Sequence, residues 1–105
     1  MTVKLSPQQT EALMAITRSE SWADGQPIVR VLRWERGRAN TLNGVWVGWR
    51  SVKPLVNLGL LTEHPPPYSV VLTDAGRVMG LRLLGWDNEQ VRAYIAAHEH
   101  IEAVR

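Results

Sequence analysis

The stretch from Trp46 to Arg77, WVGWRSVKPLVNLGLLTEHPPPYSVVLTDAGR, constrains the fold more than any other part of the chain. Helical spacing runs up to Leu58, and Gly59 follows it. Glycine stops helices because it enters the left-handed region without a steric penalty. Leu61 to His64 and Tyr68 to Thr73 are short runs that can pair across Pro65, Pro66 and Pro67. In the second run Tyr68, Val70 and Leu72 alternate with Ser69, Val71 and Thr73, an imperfect period of two. Thr73 or Asp74 then caps a fresh helix, so the order reads helix, hairpin, helix.

A helix, then L-x-x-L-G-L-L, then a hairpin closing on V-V-L-T-D-A-G-R resembles the winged helix-turn-helix domains of small bacterial regulators, the MarR-like and PadR-like groups above all. The likeness is firm from about Val45 to Arg82 and loose upstream. It implies a mainly α fold with a small β-hairpin wing: a winged-helix domain over residues 1–86 and a C-terminal helix over 87–105. It also makes the helix before Gly59 the recognition helix and the hairpin the wing, with the L-T-x-x-G segment opening the next helix.

The 105 residues fit one domain, able to bury roughly two-thirds of its extended surface. Cysteine is absent, which excludes disulfides, thiolate metal sites and thiol nucleophiles. No apolar run approaches the roughly 18 residues of a membrane span, and the N-terminus lacks the apolar core of a secretion signal. The expectation is a soluble, cytoplasmic protein with no membrane partner.

The net charge of +2 is unevenly spread. Residues 1–60 hold eight Lys or Arg against four Asp or Glu, a balance of +4; residues 61–105 hold four against six, a balance of −2. Between Arg30 and Lys53 stand Arg30, Arg33, Arg36, Arg38, Arg50 and Lys53, against the single acid Glu35. Such a block attracts phosphate through counterion release, although solvated basic faces are common.

Upstream, Ser6, Pro7 and Gln9 predict a capped helix start with a capping box, and Leu13 and Ile16 give its apolar stripe. Trp22 to Gly25 reads as a turn, and Pro27 as the opening of a second helix. Residues 28–36 divide the signals. Ile28, Val31 and Leu32 fall at helical steps, whereas the β-branched Ile28, Val29 and Val31 favour a strand; the spacing decides for a helix ended by Gly37. Arg38 to Thr41 is then the turn of the helix-turn-helix, with Thr41 or Asn43 capping the recognition helix.

That helix, from Asn43 to Leu58, splits into two faces. Val45, Gly48, Val52 and Leu55 make the inner one, with Gly48 suited to close approach by a neighbouring helix. Trp46, Trp49, Arg50 and Lys53, at i, i+3, i+4 and i+7, make the working one. Pro54 interrupts the pattern, since an interior proline costs about 3 kcal/mol. Either the helix kinks near Arg50, or it begins late, at Ser51, and the working face changes.

After the wing, a helix carrying Val78, Met79, Leu81, Leu83 and Leu84 ends at Gly85. Asp87 or Asn88 then starts a last helix with Val91, Tyr94, Ile95, His98 and Ile101 on one stripe. That stripe either folds back on its own domain or pairs with a second copy. The resemblance favours a homodimer.

Catalysis finds no support in the sequence. His98 and His100 lie two apart, pointing about 200° from each other on a helix, where zinc helices need i and i+4. Asp74 and Asp87 sit where capping explains them, and phosphate-loop and nucleophile-elbow motifs are missing. No enzyme activity, cofactor or metal is expected.

The resemblance implies double-stranded DNA binding and a role in transcription regulation. Arg50 would reach a guanine or phosphate and Lys53 a phosphate, while Arg38, Asn40, Thr41 and Asn43 hold the turn against the backbone. The wing tip departs from the family in having no Lys or Arg, leaving His64 and Tyr68 as its contacts. Trp46 and Trp49 are either buried or partner-facing. Exposed, they would suit protein docking or stacking on unpaired bases, so a second reading is a docking module with a tryptophan face and a proline-rich wing.

Overall fold

Ser6 opens the first helix, α1 (Pro7–Ser19), by the reciprocal pairing its sequence predicts. Its hydroxyl accepts from the Gln9 amide at 3.2 Å, and the Gln9 side chain accepts from the Ser6 amide at 3.0 Å. Leu13 and Ile16 then point fully into the core. The computed structural model describes residues 4–41, 44–63 and 69–99.

Between Ser21 and Gly48 the chain forms short strands, where the sequence predicted a turn at Trp22 to Gly25, a helix from Pro27 to Gly37, a turn at Arg38 to Thr41 and the start of the next helix at Asn43. Five short strands run here: β1 (Ser21–Ala23), β2 (Gln26–Ile28), β3 (Leu32–Arg33), β4 (Arg38–Asn40) and β5 (Trp46–Gly48). Two connections explain the difference. Asp24 and Gly25 have φ of 53° and 74°, and Arg36 and Gly37 have φ of 53° and 80°. Two successive positive φ values define the two-residue turn whose twist matches paired strands, and no right-handed helix passes through them. Pro27 therefore starts no helix; it lies in β2 opposite Trp22, in a two-stranded ribbon that leaves one edge unpaired. Of the β-branched residues Ile28, Val29 and Val31, Ile28 ends β2, and the other two lie in the connection to β3.

The fold is thus α/β, correcting the expectation of a mainly α domain with one hairpin wing. Among the described residues there are four helices and seven strands in three small sheets, 48% helix and 25% strand. The helix expected to precede the recognition helix is replaced by β3, β4 and the turn between them.

Downstream of Gly48 the element order is as read. Helix α2 (Trp49–Asn57) leads to β6 (Leu61–Glu63) and β7 (Ser69–Leu72), then α3 (Asp74–Leu84) and α4 (Glu89–His98). Strand β3 joins the β6–β7 hairpin in a three-stranded sheet ordered β3-β7-β6, with Leu32 opposite Val70. The end of α2 shows what L-x-x-L-G-L encodes. Leu60 N–H donates to the Leu55 carbonyl at 2.9 Å, and Gly59 N–H to that of Val56 at 3.0 Å, with Gly59 at φ 80°. This closure brings Leu55 and Leu60, both fully buried, onto the same core.

The L-T-x-x-G segment ties the hairpin back to that helix end. Thr73 caps α3 by accepting from the Gly76 amide at 3.0 Å, and its hydroxyl donates to the Gly59 carbonyl at 2.7 Å. Gly76 is required there because a Cβ would collide with the Leu60 carbonyl oxygen, a backbone atom that cannot yield. The main core gathers α1, α2 and the three-stranded sheet, with Val52, Leu55, Leu60 and Val70 all sealed from solvent.

A second, smaller cluster joins Val78 and Leu81 of α3 to Val91 and Tyr94 of α4, with Trp22 against it. Gly85, at φ 69°, ends α3 and Asn88 caps α4, as expected. The face of α4 that offered a pairing surface is folded onto its own chain at Val91 and Tyr94; Ile101 lies outside the described residues.

Between the clusters lies a buried ionic network. Arg77 makes a two-pronged pair with Glu20, its Nη2 2.7 Å from Oε2, and both side chains are at least 97% buried. Arg77 Nη1 also donates to the Tyr94 hydroxyl at 2.8 Å, which in turn donates to Asp74 at 2.8 Å. Burial alone would lower the Arg77 pKa, but the hydrogen bonds it donates to Glu20 and Tyr94 outweigh it and hold the guanidinium firmly charged. Burial, with the bond to Asp74, pushes the Tyr94 hydroxyl above its ordinary value.

Candidate nucleic-acid interface

Arg38 and Trp46 stand on neighbouring strands of the β4–β5 ribbon, where Asn40 pairs with Trp46 and Arg38 with Gly48. The pleat sends Ala39 and Val47 inward and leaves Arg38, Asn40 and Trp46 outward. The Arg38 guanidinium lies 4.6 Å from the Trp46 ring centroid, and Trp46 retains 56% of its surface exposed. Trp46 is therefore solvent-facing, but it sits on a strand and not on the helix predicted for it.

Helix α2 starts at Trp49, close to the later of the two starts that Pro54 suggested. Pro54 is its sixth residue and deprives the Arg50 carbonyl of a donor; Arg50 is exposed, so solvent can serve instead. Gly48, expected to meet a neighbouring helix, is the N-cap and has open space where a Cβ would stand. Val52 and Leu55 are buried, and Arg50 and Lys53 point out.

Trp49 is half-buried and packs edge-to-face on Trp34, centroids 5.4 Å apart. Its amide donates to the Gly37 carbonyl at 3.0 Å, locking the start of α2 to the β3–β4 turn. Lys53 Nζ lies 5.9 Å from the Trp49 ring and 3.8 Å from Glu63 across the hairpin. Both charges of that pair are well exposed, so it contributes little and leaves Lys53 available to a polyanion.

Arg36 thus lies beside Trp34 and Trp49, Lys53 beside Trp49 and Arg38 over Trp46, while Arg50 is exposed on the first turn of α2. Thr41 goes elsewhere: it is 2% exposed, and its hydroxyl accepts from the Val45 amide at 3.3 Å inside the β4–β5 connection. It supports the ribbon and presents no hydroxyl outward. Asn43, His64 and Tyr68 lie outside the described residues.

Trp34 and Arg36 were not among the sequence-predicted contacts. Trp34, with Glu35, Arg36, Gly37 and Trp49, lines a cavity of about 510 Å³. The signal available in the sequence is the Arg36–Gly37 pair as a two-residue turn, weak because arginine is an uncommon residue for the left-handed position.

No protein-family model, curated protein or solved structure was found to match the chain. Among the described residues no helix is long and apolar enough to cross a membrane.

Proposed function

We propose that this chain binds double-stranded DNA through the corner formed by the β3–β4 turn, the β4–β5 ribbon and α2, and acts as a small regulator of transcription. The observation that carries the reading is that Arg36, Arg38, Arg50 and Lys53 are all exposed on these adjoining elements, with Arg38 over the Trp46 ring and Lys53 beside that of Trp49. Phosphate attraction needs cations that are not already neutralised by structure, and a guanidinium stacked on an indole keeps its donors pointing outward. The β6–β7 hairpin flanks α2 and would lie along the backbone beside it.

The test is DNA affinity measured by fluorescence anisotropy across salt. Four phosphate contacts predict a log–log slope near −3.6, so affinity should fall about 100-fold between about 50 and 200 mM salt. Arg50→Ala should cost roughly 1–3 kcal/mol of specific binding. Affinity that does not change with salt would rule the reading out.

The 56% exposure of Trp46 also favours a second reading, a protein-docking module. Trp46→Ala separates the two better than any change at Trp49, because Trp49 is packed against the core. Loss of a protein partner with DNA affinity intact would select docking.

A further inference from the structure

The cavity beside Trp49 has a shape and a chemistry that a paired duplex does not use. Its volume, about 510 Å³, is within the range of pockets that take small ligands. Trp34 and Trp49 meet at 72°, so a flat ring stacked on one indole meets the edge of the other. The third wall is the Arg36–Gly37 turn, where Gly37 leaves open space in place of a side chain. Glu35 offers an acceptor and Arg36 a fork of donors at the same wall, both exposed.

Cations surround this aromatic corner: Lys53 lies 5.9 Å from the Trp49 ring, and Arg38 and Arg50 are exposed on the adjoining strand and helix turn. A ligand that is flat, bears both donors and acceptors, and hangs from a polyanionic chain satisfies all of these features together. We infer that the Trp34–Trp49 cavity receives one unpaired nucleobase of a bound nucleic acid, stacked on indole, with its flanking phosphates held by Arg36 and Lys53. A base inside a continuous duplex cannot enter; a bulged or extruded base can. The inference rests on the nucleic-acid reading above and narrows it to DNA with a base outside the stack.

Three duplexes of one length and one flanking sequence decide the matter by anisotropy at fixed salt: fully paired, with one extra unpaired adenine, and with one extra abasic nucleotide. The abasic duplex bends and opens like the bulged one but has no ring to stack. The expected result is binding of the adenine-bulged duplex about tenfold tighter than of either other, with quenching of tryptophan fluorescence. Trp49→Leu should bring the adenine-to-abasic ratio to about one, and if that variant does not fold, the wild-type ratio still decides. Equal binding of the bulged and abasic duplexes overturns the base pocket and leaves the DNA reading standing. Absence of binding to all three overturns both.

Discussion

Two arginines of this chain lie over aromatic rings and do opposite things. Arg77 sits 5.6 Å from the Tyr94 centroid and is 3% exposed, with Glu20, Asp74 and the Tyr94 hydroxyl occupying its donors. Arg38 sits 4.6 Å from the Trp46 centroid on an exposed ribbon, and among the described residues no carboxylate pairs with it. The same pairing of cation and ring becomes architecture where every donor is met and water is excluded. Where the donors face solvent it becomes a surface that attracts an anion.

The largest effect should come from breaking the buried member. Arg77→Met removes the two donors that hold the Glu20 carboxylate among the described residues and leaves that charge inside the protein, a change that typically costs about 3–5 kcal/mol. Urea denaturation should show it as a lower midpoint at unchanged slope. The double variant Glu20→Met with Arg77→Met should recover most of the loss, because apolar replacement of a whole buried pair is often neutral. A single Arg77→Met variant as stable as the parent would mean that the network carries no structural load.

This contrast was only half legible in the sequence. Local, backbone-driven signals read well: the Ser6 capping box, the Gly59 stop, the Thr73 cap and the Gly85 end all depend on residues within a few positions of one another. The network did not, because Glu20 and Arg77 are 57 positions apart and neither carries a local pattern. Of the two capping candidates, Thr73 and Asp74, the first is the cap; Asp74 is the first residue of α3 and accepts from Tyr94. The misread segment, residues 26–48, failed for a physical reason. The turn at Trp22 to Gly25 was legible, but a helical spacing of three apolar residues outweighed the second turn, Arg36–Gly37, which commits two successive residues to φ values that a helix excludes. The site followed the same division. Arg50 and Lys53 were placed on the correct helix, Trp46 and Arg38 on the wrong kind of element, and the cavity at Trp34 was not legible because it exists only once the β3–β4 turn meets Trp49 at the start of α2.

A smaller effect sharpens the buried side through pH. The folded state holds the Tyr94 proton more tightly than the unfolded chain does, since burial and Asp74 raise its pKa above the ordinary value near 10. Above about pH 10 the unfolded state therefore releases this proton first and binds fewer protons than the folded state, so stability falls as pH rises. The contribution is fully present below that value. Thermal melts from about pH 8 to 11 should show this decline in the parent. Tyr94→Phe should flatten the Tyr94-dependent part of it while costing about 1 kcal/mol at neutral pH for the lost hydrogen bonds. An identical alkaline decline in the two proteins would remove Tyr94 from the account.

The smallest effect on stability should come from the exposed member, and that is what identifies it. Arg38→Ala removes a solvent-exposed cation from an indole, worth about 0.5–1 kcal/mol, and leaves no buried charge behind. The same substitution should reduce the slope of log affinity against log salt by about one, the signature of a single lost phosphate contact. Arg77→Met, in contrast, should move the denaturation midpoint several times further and leave that slope unchanged wherever the variant is folded, because its guanidinium never reaches solvent. If Arg38→Ala destabilised the fold as much as Arg77→Met and left the salt slope intact, Arg38 would belong with the architecture, and the exposed corner would lose the cation that links its ribbon to its helix.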